Sequence, residues 1–177
     1  MYSELLSITD RGARGRLDRY LDCLQQWSAS INLTGAESPA AAFDTLVRPV
    51  LGAETLVLES VIDVGSGNGS PGLILAALRP DLTFTLLEPR AKRWAFLREA
   101  ARVMDAKNVI VRRERSDGYL GPTARTVTMR AVGLKPVSLR PLLGPTGCVL
   151  VFGGPRLEGA ETLFLPSGAV VQRQCFT

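Results

Sequence analysis

The sequence predicts an α/β protein, a doubly wound parallel sheet with a helical N-terminal extension, on three observations. Leu17, Leu21, Leu24 and Trp27 recur at helical spacing within the first 58 residues. From residue 60 onward, apolar β-rich runs alternate with helical patterns, as βα units do when they close into a parallel sheet. The first run, VIDV (61–64), leads into GSGNGSPG (65–72), and the second, LTFTLLE, ends on Glu88, so two successive strands end near acids with a glycine-rich turn between them. At 177 residues the chain forms one compact unit, with residues 1–58 as the extension and 59–177 as a Rossmann-like domain.

Along the chain, Gly12 and Gly15 are expected to separate a short first helix from the Leu17–Trp27 helix, leaving Arg11, Arg14 and Arg16 in a glycine-rich turn. Trp27 reads as a core anchor, and Asn32 and Thr34 in the following ASINLTG stretch tie the extension to the sheet. Ser38-Pro39 starts an alanine-rich helix that Pro49 kinks or ends. Strands are expected near 60–64, 82–88, 108–113, 125–130 and 147–152, with helices near 71–79, 90–104 and 136–143. Ser70 is expected to cap the first of these helices, with Pro71 in its first turn, and Arg79-Pro80-Asp81 stops it. ETLFL (161–165) and AVVQRQCF (169–176), separated by Pro-Ser-Gly, read as a hairpin adding antiparallel edge strands.

Composition narrows the chemistry. With 46% hydrophobic and 21% charged residues the chain can fill a core, and a net charge of +4 permits a polyanionic partner. Without a histidine, His-ligated zinc, Ser-His-Asp and Cys-His mechanisms are excluded, and no metal is expected. Cys23, Cys148 and Cys175 are odd in number, scattered and lack a C-x-x-C, so they read as reduced thiols with neither a disulfide framework nor a metal knuckle. Glu4 and Asp10 interrupt the N-terminus and no apolar run reaches about 18 residues, so neither a signal peptide nor a membrane span is expected, and the protein is placed in the cytoplasm.

The glycine spacing selects among nucleoside ligands. Gly65, Gly67 and Gly69 make G-x-G-x-G, whereas the dinucleotide fingerprint needs glycine at position 70, where this chain has Ser70. S-adenosylmethionine carries no pyrophosphate; its amino-acid end needs room and backbone hydrogen bonds. Glu88 suits the two ribose hydroxyls, since two carboxylate oxygens face them. Asp63, under the loop, braces it or meets the methionyl ammonium. Ligands bind beyond the carboxyl ends of such sheets, where the glycine loop, Glu88, Asp117 and Arg130 fall. The plainer alternative is a glycine-rich turn in another α/β protein, with Glu88 as a surface strand end.

Three stretches together resemble one family, the bacterial small-subunit (16S) ribosomal RNA guanine-N7 methyltransferases, also called glucose-inhibited division protein B. They are YLDCLQQWSASINLTG (20–35), the cofactor half VIDVGSGNGSPGLILAALRPDLTFTLLEPRAKRWAFLREAARVMDAKNVIV (61–111), and TVTMRAVGLKPVSLRPLLGPTGCVLVF (126–152). The resemblance implies a class I methyltransferase fold using S-adenosyl-L-methionine, with ribosomal RNA or a small-subunit assembly particle as partner. It implies methionine-end contacts at Gly65 and Ser70, ribose contact at Glu88, and adenine contact at Ser116 and Asp117. Arg130 would lie near the transfer site, as the candidate catalytic residue. Arg90, Lys92 and Arg93 form a basic helix face available to RNA phosphate; the alternative for them is a solvated face, and for Arg130 a structural ion pair. Where the family carries a His…Asp-Ser element this chain reads Arg48-Pro-Val-Leu-Gly-Ala53. Its Lys-Gly is Gly153-Gly154 here, the serine before Arg130 is Met129, and the tail is short. These departures leave open a second reading, a diverged, non-catalytic paralogue that binds the cofactor or RNA.

Overall fold

The computed structural model describes residue 8 and residues 10–176. Seven strands form one sheet in the order β3-β2-β1-β4-β5-β7-β6. β1 (Ser60–Val64), β2 (Thr83–Leu87), β3 (Val109–Arg112), β4 (Ala124–Arg130) and β5 (Leu143–Phe152) run parallel. β6 (Glu161–Phe164) and β7 (Val170–Cys175) return antiparallel on the β5 edge, the hairpin expected from the sequence. The helices are α1 (Arg11–Ser28), α2 (Pro39–Ala42), α3 (Gly72–Leu78) and α4 (Ala91–Val103).

Side chains alternate across the sheet, and its two faces differ. On one face Val61, Phe84, Leu86, Leu150, Phe152 and Val171 pack with residues of α1, α3 and α4 in the larger core cluster. On the other, Ile62, Val64, Leu87, Val127, Met129 and Val149 are covered by Leu139, Leu142, Tyr119 and Phe176. These come from short segments and not from long helices. The stretch expected to be a helix near 136–143 is a 3₁₀ turn, Pro136–Leu142, with Pro136 in its first turn and Pro141 inside it removing an N–H donor that an α-helix would need. Toward its margins the second face is open: Ile110 is 52% and Phe164 78% exposed.

Three expectations are corrected here. α1 runs straight through Gly12 and Gly15, so Arg11, Arg14 and Arg16 are helical, and any helix before it lies outside the described residues. Its start is fixed by Asp10, whose side chain accepts from Ala13 N. Burial of Ala13, Leu17, Tyr20, Leu21 and Leu24 outweighs the roughly 1 kcal/mol that each glycine costs a helix. The cysteines are not three separate thiols: hairpin register sets Cys148 opposite Cys175, with Cα atoms 4.0 Å apart, and the two form a disulfide; Cys23 is free and buried. Twenty-seven residues of separation hide that pairing from any spacing rule. Ser70 does not cap α3; the cap position is Pro71, without a side-chain hydrogen bond.

The alanine-rich segment starts as expected, with Ser38 accepting from Ala41 N and Pro39 in the first turn. It then loosens into a π-helical turn over Phe43–Val47 and tightens into a 3₁₀ turn, Arg48–Val50, that contains Pro49. Trp27 packs edge-on against Phe96 of α4, with ring centroids 6.0 Å apart. No helix among the described residues is long and apolar enough to cross a membrane.

Candidate cofactor site

The site forms where β1 ends. The chain turns sharply after Val64, with Gly65 at φ +67° and Gly69 at φ +92°, left-handed conformations that favour glycine. Gly65 N and Ser66 N both donate to Leu87 O, at 2.9 and 3.2 Å, so the loop is stapled to the end of β2. Gly67 N donates to Glu88 Oε2 at 3.0 Å, and Arg90 N donates to Glu88 Oε1 at 2.8 Å. Glu88 is thus buried, with each carboxylate oxygen holding one backbone N–H and keeping a further lone pair.

Asp63 sits beneath the loop. Thr128 Oγ1 donates to its Oδ1 at 2.7 Å, while Oδ2 is buried without a hydrogen-bond partner. Gly72, the first residue of α3, packs on it so closely that a Cβ there would lie 2.6 Å from Oδ2. Burial pushes the Asp63 pKa up to about 6, and the Thr128 hydrogen bond restrains the rise. The carboxyl group is a brace between β1, β4 and α3 and does not line the cavities above it.

Two cavities flank Gly65. One of about 420 Å³ is lined by Gly65, Ser66, Gly67, Asn68, Ser70 and Arg130, with Leu33, Leu46 and Arg93 around it. The other, about 220 Å³, lies between Leu87, Pro89, Val132 and Leu134, with Ser116 at its side. The first presents backbone and polar side chains, the second mostly apolar walls. That division fits a ligand with an amino-acid end and a flat aromatic end joined across Gly65, as S-adenosylmethionine is.

Arg130 ends β4. Its Nη1 donates to Ser70 Oγ at 2.8 Å and its Nη2 to Thr45 O at 2.7 Å, and burial lowers its pKa from the ordinary guanidinium value. Ser70 Oγ in turn donates to Leu46 O at 2.7 Å, which explains its absence from the helix cap. Of the remaining predicted residues, Ser116 reaches the smaller cavity, but Asp117 is exposed outside it and paired to Arg115 at 3.2 Å. The Arg115 hydrogen bond holds the Asp117 carboxyl below the usual range. On the basic face of α4, Arg93 reaches the larger cavity, whereas Arg90 and Lys92 face solvent beside it.

Sequence reasoning passed over Asn68, Tyr20, Thr128 and Val132. Asn68 sits in the loop among the glycines, and Tyr20 falls on the apolar stripe of α1, where it reads as core. Thr128, in the interior of β4, follows the alternation that places it on the face shared with Asp63. Val132 lies only two residues past Arg130, and its Cγ2 comes within 2.8 Å of where a Gly65 Cβ would be, so only glycine fits beneath it.

This sheet order, with the glycine loop and paired acids at the carboxyl ends of β1 and β2, defines a class I methyltransferase, a Rossmann-like fold. Among solved structures the fold is shared with a methyltransferase from Geobacter sulfurreducens (TM-score 0.59, 11% identity, 88% of this chain and 87% of that one). It is also shared with an RNA methyltransferase from Salinibacter ruber in complex with S-adenosyl-L-homocysteine (TM-score 0.51, 22% identity, 78% of this chain and 92% of that one). Residues 14–159 match the family model for rRNA small subunit methyltransferase G, and the chain belongs to that family. It is 33% identical over 165 residues to the ribosomal RNA small subunit methyltransferase G of Halorhodospira halophila, covering 91% of this chain and 78% of the relative. To that of Wolinella succinogenes it is 34% identical over 148 residues, covering 81% and 77%.

Proposed function

We propose that this protein transfers a methyl group from S-adenosylmethionine to N7 of a guanosine in small-subunit ribosomal RNA, and that it does so in the cytoplasm, on the RNA or on an assembling particle. The observation that supports this reading most is the pair of cavities around Gly65, one polar and one apolar, in a chain of this family. When bound, the cofactor supplies an electrophilic methyl group on a sulfonium.

The chain's own residues bind and orient. Gly65, Gly67 and Ser70 line the polar cavity and surround the methionine end, and Gly69 sets the turn of the loop. Glu88, which like Asp63 lines neither cavity, accepts from the ribose through its remaining lone pairs, and Ser116 flanks the adenine. Guanine N7 carries an in-plane lone pair and no proton near neutral pH, so no general base is required; a site without histidine suffices. The task left to the protein is alignment at contact distance. Arg93, at the polar cavity, supplies positive charge that meets RNA phosphate, with Arg90 and Lys92 extending that surface along α4, while Arg130, held by Ser70 and Thr45, shapes the cavity wall.

The test is incubation of the purified protein with labelled cofactor and either unmodified small-subunit RNA or small-subunit particles, followed by nucleoside mapping. We expect N7-methylguanosine at one position. Label in another nucleoside would replace the proposed acceptor, and cofactor binding without transfer to any assembly state would favour a non-catalytic role.

A further inference from the structure

The glycine loop is held from two sides. From the sheet it is held by Leu87 O and Glu88. From the other side it is held by the N-terminal segments. Tyr20, fully buried on α1, donates its hydroxyl to Asn68 O at 2.8 Å. Asn68 Nδ2 donates to Leu33 O at 3.1 Å, and its Oδ1 accepts from Ser70 N at 3.1 Å. Ser70 Oγ reaches Leu46 O, and Arg130 closes the circuit by joining Ser70 Oγ to Thr45 O. Tyr20, Leu33 and Leu46 come from three separate stretches of the first 50 residues, yet their bonds converge on Asn68 and Ser70, and Thr45 is tied in through Arg130. Those two residues line the larger cavity together with Leu33 and Leu46.

We infer that Tyr20 is a positioning residue for the cofactor's amino-acid end: its hydroxyl sets Asn68, and through it the Gly67–Ser70 wall of the cavity. The inference rests on the cofactor reading above. A phenylalanine would fill the same volume on α1 but leave the Asn68 carbonyl without that donor. The loop would then hold its shape only part of the time, and binding would have to restore it. Burial raises the Tyr20 pKa above the ordinary phenol range, so the hydroxyl stays protonated and remains a donor at any working pH. Arg130 has the same kind of role on the far side, since both its terminal nitrogens hold Ser70 and Thr45 in place.

Calorimetric titration with S-adenosylhomocysteine tests this without any RNA. Losing a hydrogen bond of ordinary net worth predicts about 3- to 10-fold weaker binding in Tyr20→Phe. The KM for S-adenosylmethionine should rise by a similar factor while the KM for RNA stays unchanged. Amide exchange at Gly67 and Gly69 should quicken in the variant, with the rest of the sheet unaffected. Equal affinity in Tyr20→Phe and wild type would overturn the positioning role alone, leaving the cofactor assignment intact; a lowered melting temperature with unchanged affinity would do the same, marking Tyr20 as structural only. Wild-type protein that binds no S-adenosylhomocysteine would overturn both.

Discussion

The two faces of the sheet carry different loads. Because side chains alternate along a strand, Asp63, Glu88, Thr128 and Arg130 share one face with Val61, Phe84 and Leu86. That face is buried by three helices and is also where the loop is braced. The second face is apolar at its centre, closed by short turns, and open at both margins. Polar groups that must hold one geometry lie on the helix-covered face, and the thinly covered side is left to the apolar half of the cleft. Burial and function are therefore coupled on one face and separable on the other.

Substitutions on the two faces should expose that asymmetry. Phe96, fully buried between α1 and the sheet, should cost about 3–5 kcal/mol as Phe96→Ala. Phe164→Ala on the open margin should stay within about 0.5 kcal/mol. Urea unfolding of both variants reads this, and similar losses would show that the second face is better covered than its exposure indicates.

The disulfide comes next. Cys148–Cys175 closes a loop with a sequence separation of 27 at the seam between the parallel strands and the hairpin. Restricting the unfolded chain over such a loop is worth about 3 kcal/mol. Reductant or Cys175→Ser should lower the unfolding midpoint by the corresponding amount without altering cofactor affinity. An unchanged midpoint would mean that strand pairing alone secures β7.

Asp63 probes the braced face through pH. Its folded pKa, about 6, lies above the ordinary carboxyl value of 3.8. The folded state therefore keeps a proton that the unfolded chain has released. The stabilisation is fully present below about pH 4 and is lost as pH rises through about 6, on the order of 3 kcal/mol in all. Asp63→Asn, which mimics the neutral form, should gain on wild type over that interval. Parallel stability profiles between pH 4 and 7 would remove Asp63 as the source.

How much of this was legible in the sequence follows from the range of each interaction. The strands, the loop and its acids show because their determinants are local: alternation over four or five residues, glycines at left-handed positions, an acid at a strand end. The helical extension shows through the spacing of Leu17, Leu21 and Leu24. What stayed hidden depends on distant partners. Gly12 and Gly15 look like breaks until Arg16 is seen bonded to Ala77 O and the α1 face buried. Ser70 looks like a cap until Leu46 and Arg130 take its hydroxyl. Tyr20 looks like filler because its acceptor lies 48 residues away. The cysteine pair follows from hairpin register, which no spacing encodes.

Pro49 carries a consequence of a different sort. In a regular α-helix the carbonyl of Thr45 would accept from the N–H of residue 49, and proline has none. The oxygen left over is the one that receives Arg130. A residue ordinarily regarded as punctuation thus works as a vacancy: with no N–H at 49, no backbone donor four residues on competes with Arg130 for the Thr45 carbonyl.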